Sequence, residues 1–184
     1  MIRIAIIVGS TRPNALGAKV GAWVLEQAQG RDDAEYELIS VADQQLPLLD
    51  EPLPAGSGVY SQPHTKAWAA IIDAFDGFIF VTPEYNHSVP GAFKNAFDFL
   101  YGEWRDKAVG FVSYGAAGGV RAAEHWRAIV ANAHMWDVRG QVTAFLTDDF
   151  TDGEFTPRDF QFGAMGELLT EVVTTADRAK RTRN

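Results

Sequence analysis

The sequence predicts a three-layer αβα sandwich, in which a five-stranded parallel sheet carries helices on both faces. Two observations lead there. Short apolar runs, 4–8 and 77–82 above all, contain no charged residue, as strands buried on both faces require. Between such runs lie segments whose apolar residues recur every three or four positions, so strand and helix alternate along the chain. At 184 residues the chain is long enough for one full core and short for two, which predicts a single domain over 1–184.

The first strand is Ile-Ala-Ile-Ile-Val at 4–8. It breaks into the polar run Gly9-Ser-Thr-Arg-Pro-Asn-Ala-Leu16, and a helix follows over Gly17–Gln29 with Leu16, Val20, Trp23, Val24 and Ala28 on one face. A short alternating strand at 36–41 comes next. Residues 42–63 carry prolines at 47, 52, 54 and 63, and so long a loop is functional or wraps a neighbouring subunit. The spacing of Trp68, Ile71, Ile72 and Phe75 gives a helix at 64–75, and 77–82 is a central strand. A helix at 91–101 carries Phe93, Ala96, Phe97 and Leu100. With Phe99 and Tyr101 added, aromatics surround most of it, which predicts a face turned to another subunit.

The fourth strand is 108–114, ending in Gly115-Ala-Ala-Gly-Gly119. A helix at 120–133 buries Ala122, Trp126, Ile129 and Val130, and 138–146 is the fifth strand. Residues 147–159 read as an acidic connector. The last helix, 160–179, lays Phe162, Met165, Leu168, Leu169, Val172, Val173 and Ala176 on the sheet, and Arg178, Lys180, Arg181 and Arg183 crowd its end, where cations suit the helix dipole. Trp23, Trp68 and Trp126 fall on apolar helix faces and read as core, whereas Trp104, just before the fourth strand, is placed near a ligand or a subunit interface.

Composition excludes several classes. Twenty-four acidic against sixteen basic residues give a net charge of −8, which argues against a nucleic-acid partner. No apolar run nears the roughly 18 residues that span a bilayer, and no signal-peptide pattern opens the chain. The lack of cysteine removes thiol catalysis and thiolate metal sites, and is compatible with a cytoplasmic protein. The four histidines show no metal-binding spacing.

In a sheet of this kind the ligand lies at the carboxyl ends of the strands. Three loops converge there: 9–16, 82–91 and 113–119. The first combines a helix N-terminus with the Ser10 and Thr11 hydroxyls and the Arg12 guanidinium, an anion site in its components. The Walker triplet and the G-x-G-x-x-G fingerprint are both missing, which leaves a single phosphate and hence a mononucleotide. The other two loops supply backbone amides, small residues and one flat aromatic each, Tyr85 and Tyr114, as a planar ring system needs. On residue types alone an ordinary set of βα turns fits equally well. A serine hydrolase is excluded, since Ser88 and Ser113 lack the nucleophile-elbow surroundings.

Gly9-Ser-Thr-Arg-Pro13, Leu46-Pro-Leu-Leu-Asp-Glu-Pro52, Thr82-Pro-Glu-Tyr-Asn86 with Ser88, Pro90-Gly91 and Lys94-Asn95, and Ser113-Tyr-Gly115 running on to Gly118-Gly-Val-Arg-Ala122 occur in this order. In these stretches the sequence resembles the NAD(P)H-dependent FMN reductase family of the flavodoxin-like fold, which includes quinone, azo-compound and chromate reductases. The resemblance implies one FMN-binding domain, with Ser10, Arg12 and Asn14 and the amides near Leu16 and Gly17 at the phosphate. Pro83, Glu84, Tyr85 and Asn86 would border the isoalloxazine ring, and Ser113, Tyr114 and Gly115 its other edge. Ala15 departs from the polar residues usual there, and weaker phosphate affinity is expected.

The implied activity is hydride transfer from NADPH or NADH to FMN, followed by two-electron reduction of a small-molecule acceptor such as a quinone, in ping-pong order. No side chain is then required as a catalytic acid, Glu84 included, because the cofactor carries the chemistry. A homodimer or tetramer is expected. The competing classes are a flavodoxin-type electron carrier, which passes electrons to partner proteins, and a flavin-binding stress or sensor protein.

Overall fold

The structure, a computed structural model, describes residues 1–183, the side chain of Arg183 excepted, so that residue's share in the basic helix end lies outside the described residues. In chain order the elements are β1 (Ile2–Val8), α1 (Gly17–Gln29), β2 (Ala34–Ser40), α2 (Pro63–Asp73), β3 (Gly77–Pro83), α3 (Gly91–Asp98), β4 (Ala108–Gly115), α4 (Val120–Asn132), β5 (Trp136–Phe145), the short pair β6 (Phe150–Thr151) and β7 (Glu154–Phe155), and α5 (Asp159–Arg183). The main sheet has five parallel strands in the order β2-β1-β3-β4-β5. That is the flavodoxin-like order, and it places the ends of β1, β3 and β4 side by side.

Strand pleating divides the core in two, because alternate side chains leave opposite faces. Ile4, Ile6, Val8, Ile79, Val81 and Val112 meet α1 and α5 in an aliphatic layer. Ala5, Ile7, Phe78, Phe80, Val109 and Phe111 meet α2, α3 and α4 in a layer rich in aromatics. Phe80 sits at its centre, with ring centroids of Phe93, Phe97, Phe111, Trp104 and Trp126 between 4.8 and 6.3 Å away.

Four expectations are corrected. α3 ends at Asp98, not at residue 101, because the chain turns there to bury Phe99 and Leu100 with Trp104. Phe93, Phe97 and Phe99 lie wholly in this chain's own core, so their abundance points to no second subunit. Trp104 is likewise fully buried, stacked on Phe97 at 4.8 Å and 12°, with its indole N–H donating to Phe97 O. The acidic connector contains an antiparallel hairpin, β6–β7. Its turn is Asp152-Gly153, both at positive φ, the dipeptide that two-residue hairpins favour.

The inward stripe of α5 holds from Met165 to Ala176, but Phe162 is half-exposed and rests its edge on Trp23 rather than on the sheet. In that first turn Gln161 takes the inward place, donating to Thr143 O and to the buried Asp149 carboxylate.

Trp104 is therefore a stability residue. Trp104→Ala should cost about 3–5 kcal/mol, as large aromatic-to-alanine changes in cores do. Urea unfolding checks this; a loss under 1 kcal/mol would contradict the packing described here.

Candidate active site

The first loop turns at Arg12-Pro13-Asn14-Ala15, where the Ala15 N–H donates to Arg12 O at 3.1 Å. Proline at the second position and a positive φ at the third, 57° at Asn14, are the requirements of a type II turn. Asn14, expected as a ligand contact, thus has a backbone role here. α1 follows with no side-chain cap: its N-cap is Leu16, in helical conformation. Its first amides have no intrahelical partner and face the carboxyl edge of the sheet. Arg12 is exposed, and its side chain makes no hydrogen bond or ion pair among the described residues. Ser10 is buried, and its hydroxyl shares a 2.8 Å hydrogen bond with the Tyr85 hydroxyl. Tyr85, assigned by sequence to the ring end, therefore also reaches the serine of the first loop.

The second loop leaves β3 at Pro83. The Glu84 N–H donates to Tyr114 O, tying this loop to the end of β4. Tyr85 and Ser88 exchange backbone hydrogen bonds at 3.0 and 3.1 Å, closing a two-residue turn over Asn86 and His87. Both central residues have positive φ, 50° and 67°, as a type I′ turn demands. The Glu84 carboxylate, with a side chain only 8% exposed, accepts from the Arg121 guanidinium at 2.7 Å and the Arg121 N–H at 3.2 Å. It therefore caps the N-terminus of α4 from a neighbouring loop, where a negative charge suits the helix dipole. Arg121 stands within the matching run 118–122 but was not singled out, because sequence gives no sign of its cross-loop partner. Ser88 and His125 are joined the same way, hydroxyl to Nδ1, at 2.9 Å.

The third loop needs glycine at one point above all. Gly119 has φ 70°, and a Cβ there would lie 2.6 Å from Tyr114 N and 2.8 Å from Tyr114 O. β4 pleating sends its last two side chains apart. Ser113 is fully buried; its hydroxyl donates to Gly118 O and accepts from the Gln141 amide, so it holds the loop rather than lining a ligand edge. Tyr114 points to the α1 side and is 5% exposed, its ring packed against Phe150 of the β6–β7 hairpin. The expectation that it offers a flat face to a ring is therefore replaced. Its hydroxyl lies 2.6 Å from where a Cβ on Gly17 would stand, so the first residue of α1 is glycine because the phenol tip rests on it. That hydroxyl is buried without a hydrogen-bond partner.

Residues 41–63 form a strap beside these loops. The Asn95 side chain pins it to α3, donating to Pro47 O at 2.7 Å and accepting from the Leu49 N–H at 2.9 Å. The Glu51 carboxylate closes it by accepting from the Ser61 N–H and hydroxyl and the Gln62 N–H. Between the strap, Thr11 of the first loop and the N-terminus of α3 opens a cleft of about 360 Å³, with Leu46, Pro47 and Leu48 on one wall and Gly91 and Asn95 on the other.

Fold and edge together define a flavodoxin-like α/β protein whose first loop leads into a helix without a side-chain cap. The chain belongs to the NADPH-dependent FMN reductase family, whose pattern matches residues 2–147. The NAD(P)H-dependent FMN reductase ntnL of a Nectria species is 43% identical over 128 residues, 66% of this chain and 64% of that protein. A quinone reductase of Pseudomonas putida KT2440 is 38% identical over 127 residues, 65% of this chain and 64% of that one. The chain spans a little under two thirds of the length of both relatives. Among solved structures, the flavoenzyme NAD(P)H:(acceptor) oxidoreductase FerB of Paracoccus denitrificans superposes with a TM-score of 0.75 over 97% of this chain and 99% of that one, at 21% identity, which establishes the fold.

The strap has its own pH signature. Desolvation opposes charge on Glu51, but the hydrogen bonds from Ser61 and Gln62 outweigh it and lower the carboxyl from 4.5 to about 2. A folded value below the unfolded one means that this contribution to stability is present above about pH 4.5 and is lost as the pH falls toward 2. The amide NMR shifts of Ser61 and Gln62 should therefore titrate with a midpoint near 2; a midpoint near 4.5 would show the carboxylate free.

Proposed function

We propose that this chain is an FMN-dependent oxidoreductase that draws hydride from NADPH or NADH and passes two electrons to a small-molecule acceptor such as a quinone. The observation that carries the reading is the state of the first loop. An uncapped helix N-terminus, an exposed Arg12 without a protein partner and a buried orphan hydroxyl meet at one edge. Each group lacks what a phosphate would supply, and the residues fit the cofactor of the family. Bound FMN would supply hydride acceptance and two-electron release.

The chain's own residues bind and orient. Arg12 offers a planar fork to a phosphate, and the α1 amides offer donors along the helix dipole. The ion pair of Glu84 with Arg121 fixes the second loop, so the Asn86-His87 turn and Tyr85 hold one position beside the ring. In this reading Glu84 acts as an anchor and not as an acid. The apolar wall of the cleft at Leu46, Pro47 and Leu48 suits a flat acceptor such as a quinone, in line with the quinone reductase named above. The site asks for no nucleic acid. The reading places the protein in the cytoplasm, with its soluble nicotinamide donors.

We also assign a second copy of this chain as partner. With the α3 aromatics buried, the support moves to the strap, where Leu48, Leu49, Leu53 and Val59 are 85%, 46%, 49% and 58% exposed on a segment held in shape by Asn95 and Glu51. Light scattering should report a dimer or tetramer at micromolar concentration, and a monomer of 20.2 kDa would refute the assignment.

The activity is tested by loading the purified protein with FMN and adding NADPH under anaerobic conditions. The flavin absorbance should bleach without any partner reductase and return when a quinone is added. A flavodoxin-type carrier would stay yellow. Arg12→Ala should weaken FMN binding by roughly 10- to 100-fold, the worth of charge-assisted hydrogen bonds, and leave riboflavin binding unchanged. Equal losses for the two ligands would move the phosphate away from the first loop.

A further inference from the structure

Lys94 and Asn95 stand side by side in one of the matching stretches, but their side chains go different ways. Lys94 turns along its own helix to Asp98, at 2.6 Å. Asn95 crosses to the strap, where its amide donates to Pro47 O at 2.7 Å and accepts from the Leu49 N–H at 2.9 Å. An amide can do both at once, whereas a carboxylate lacks the donor and an aliphatic side chain lacks both groups.

These two bonds hold a part of the strap that nothing else holds. The other ties lie further along: Glu51 to Ser61 and Gln62, Asp50 to His64 at 2.9 Å, and Tyr60 to Glu103 at 2.8 Å. Among the described residues, 46–49 make no hydrogen bond except those to Asn95. The chain enters this stretch through Gln45, which holds a left-handed conformation with φ 49°, so no regular element runs into it. Asn95 itself stands on a rigid mount. Phe93, Ala96 and Phe97 around it are buried in the aromatic layer, and Ala96 O accepts from the Trp68 indole.

The stretch so held is the apolar wall of the cleft. Leu46 rests on the aromatic layer, but Leu48 is 85% exposed, so its position is set by the Pro47 and Leu49 backbone on either side. Thr11 of the first loop and Gly91 at the end of the second also line the cleft, which therefore opens beside both loops. Its volume of about 360 Å³ is at the low end for small-molecule sites, roughly 300–1,000 Å³, and suits a compact ring system.

We propose that Asn95 is a positioning residue for the electron acceptor: by holding Pro47 and Leu49 it fixes the Leu46-Pro47-Leu48 wall against α3 and so sets the affinity for a compact, flat quinone. This rests on the reading given under Proposed function. Without the latch the wall is in place for only part of the time, and apparent affinity falls by that fraction.

The test is Asn95→Leu, which is close in size and makes neither bond. Asn95→Asp, which keeps the bond from Leu49 and loses the one to Pro47, serves as a second variant should the first fail to fold. Three measurements are made on the FMN-loaded proteins. They are amide hydrogen exchange at Leu49, Ser61 and Gln62, the dissociation constant of 1,4-naphthoquinone for the oxidised protein without nicotinamide, and turnover with NADPH and either naphthoquinone or ferricyanide. Ferricyanide is a hydrophilic acceptor with no use for an apolar wall, and in a chain without cysteine the quinone meets no thiol. Exchange at Leu49 should quicken about 10-fold or more, with Ser61 and Gln62 within about 2-fold of wild type. The naphthoquinone dissociation constant and KM should rise roughly 5- to 100-fold while kcat stays within about 2-fold. The ratio of the naphthoquinone KM to the ferricyanide KM should rise by the same factor, and Asn95→Asp should move all of these in the same direction. Unchanged exchange at Leu49 means that Asn95 does not hold the strap. Faster exchange with an unchanged naphthoquinone dissociation constant means that the wall does not bind the acceptor, and equal losses for both acceptors place the effect at the flavin. Each of these results overturns the inference and leaves the functional reading standing. A wild type whose flavin is not bleached by NADPH overturns that reading, and this inference with it.

Discussion

The candidate site is organised by the end of β4, at Tyr114. Its carbonyl accepts from the Glu84 N–H and so sets where the second loop begins. Its peptide lies against Gly119, which fixes how closely the third loop returns before α4 starts. Its phenol spans the aliphatic layer to touch Gly17 and so sets the height of the α1 N-terminus above the sheet. All three loops are thus positioned from one residue of a doubly buried strand. Such a strand is paired on both sides and packed on both faces, and it is among the least deformable parts of an α/β domain.

The two faces of the sheet serve different ends. The aromatic layer around Phe80 is tied together by indole hydrogen bonds: Trp68 to Ala96 O, Trp104 to Phe97 O and Trp126 to the Thr82 hydroxyl. Large rings locked both by packing and by their polar edges leave few alternative arrangements. α3 and α4, which follow the second and third loops, are therefore seated on a rigid base. The aliphatic layer is covered by α5 and, at the ligand end, by the β6–β7 hairpin, which brings Phe150 onto Tyr114 and Phe155 onto Trp23. That hairpin is stapled by Asp149, which is fully buried and paired with Arg158 while also accepting from the Phe145 N–H. The acidic stretch that looked like a plain connector is what keeps the tyrosine dry.

The fold was legible because its signals are periodic. Apolar runs for β1 and β3 and helical stripes on α1, α2 and α4 survive in the structure with ends displaced by a few residues at most. Failures came where a long-range contact overrides a local pattern. Nothing in the spacing of Phe93, Phe97 and Phe99 says that the chain turns after Asp98, and the turn is what takes Phe99 and Trp104 inside. The Asp152-Gly153 turn lies inside a stretch whose charge reads as a plain connector. At the site, the three loops were found, but not the directions of their side chains. The same pleat that buries Ser113 toward α4 carries Tyr114 toward α1, and a motif string does not record which way a strand faces. Arg121, Asn95 and Glu51 lie in the matching stretches, but sequence gives them no role, since their partners are 37, 46 and 10 residues away.

Local rules are broken at this edge in a concentrated way. α1 lacks a side-chain cap, Arg12 lacks a partner, Tyr114 has an orphan hydroxyl, and His87 holds a left-handed conformation that a non-glycine residue adopts at a cost of about 1–3 kcal/mol. Away from it, buried polar groups are for the most part well supplied: Asp149, Gln161 and Lys107 each have two or more partners. An α1 start without a side-chain cap, an Arg12 side chain without a partner and the Tyr114 hydroxyl stand together in one loop cluster.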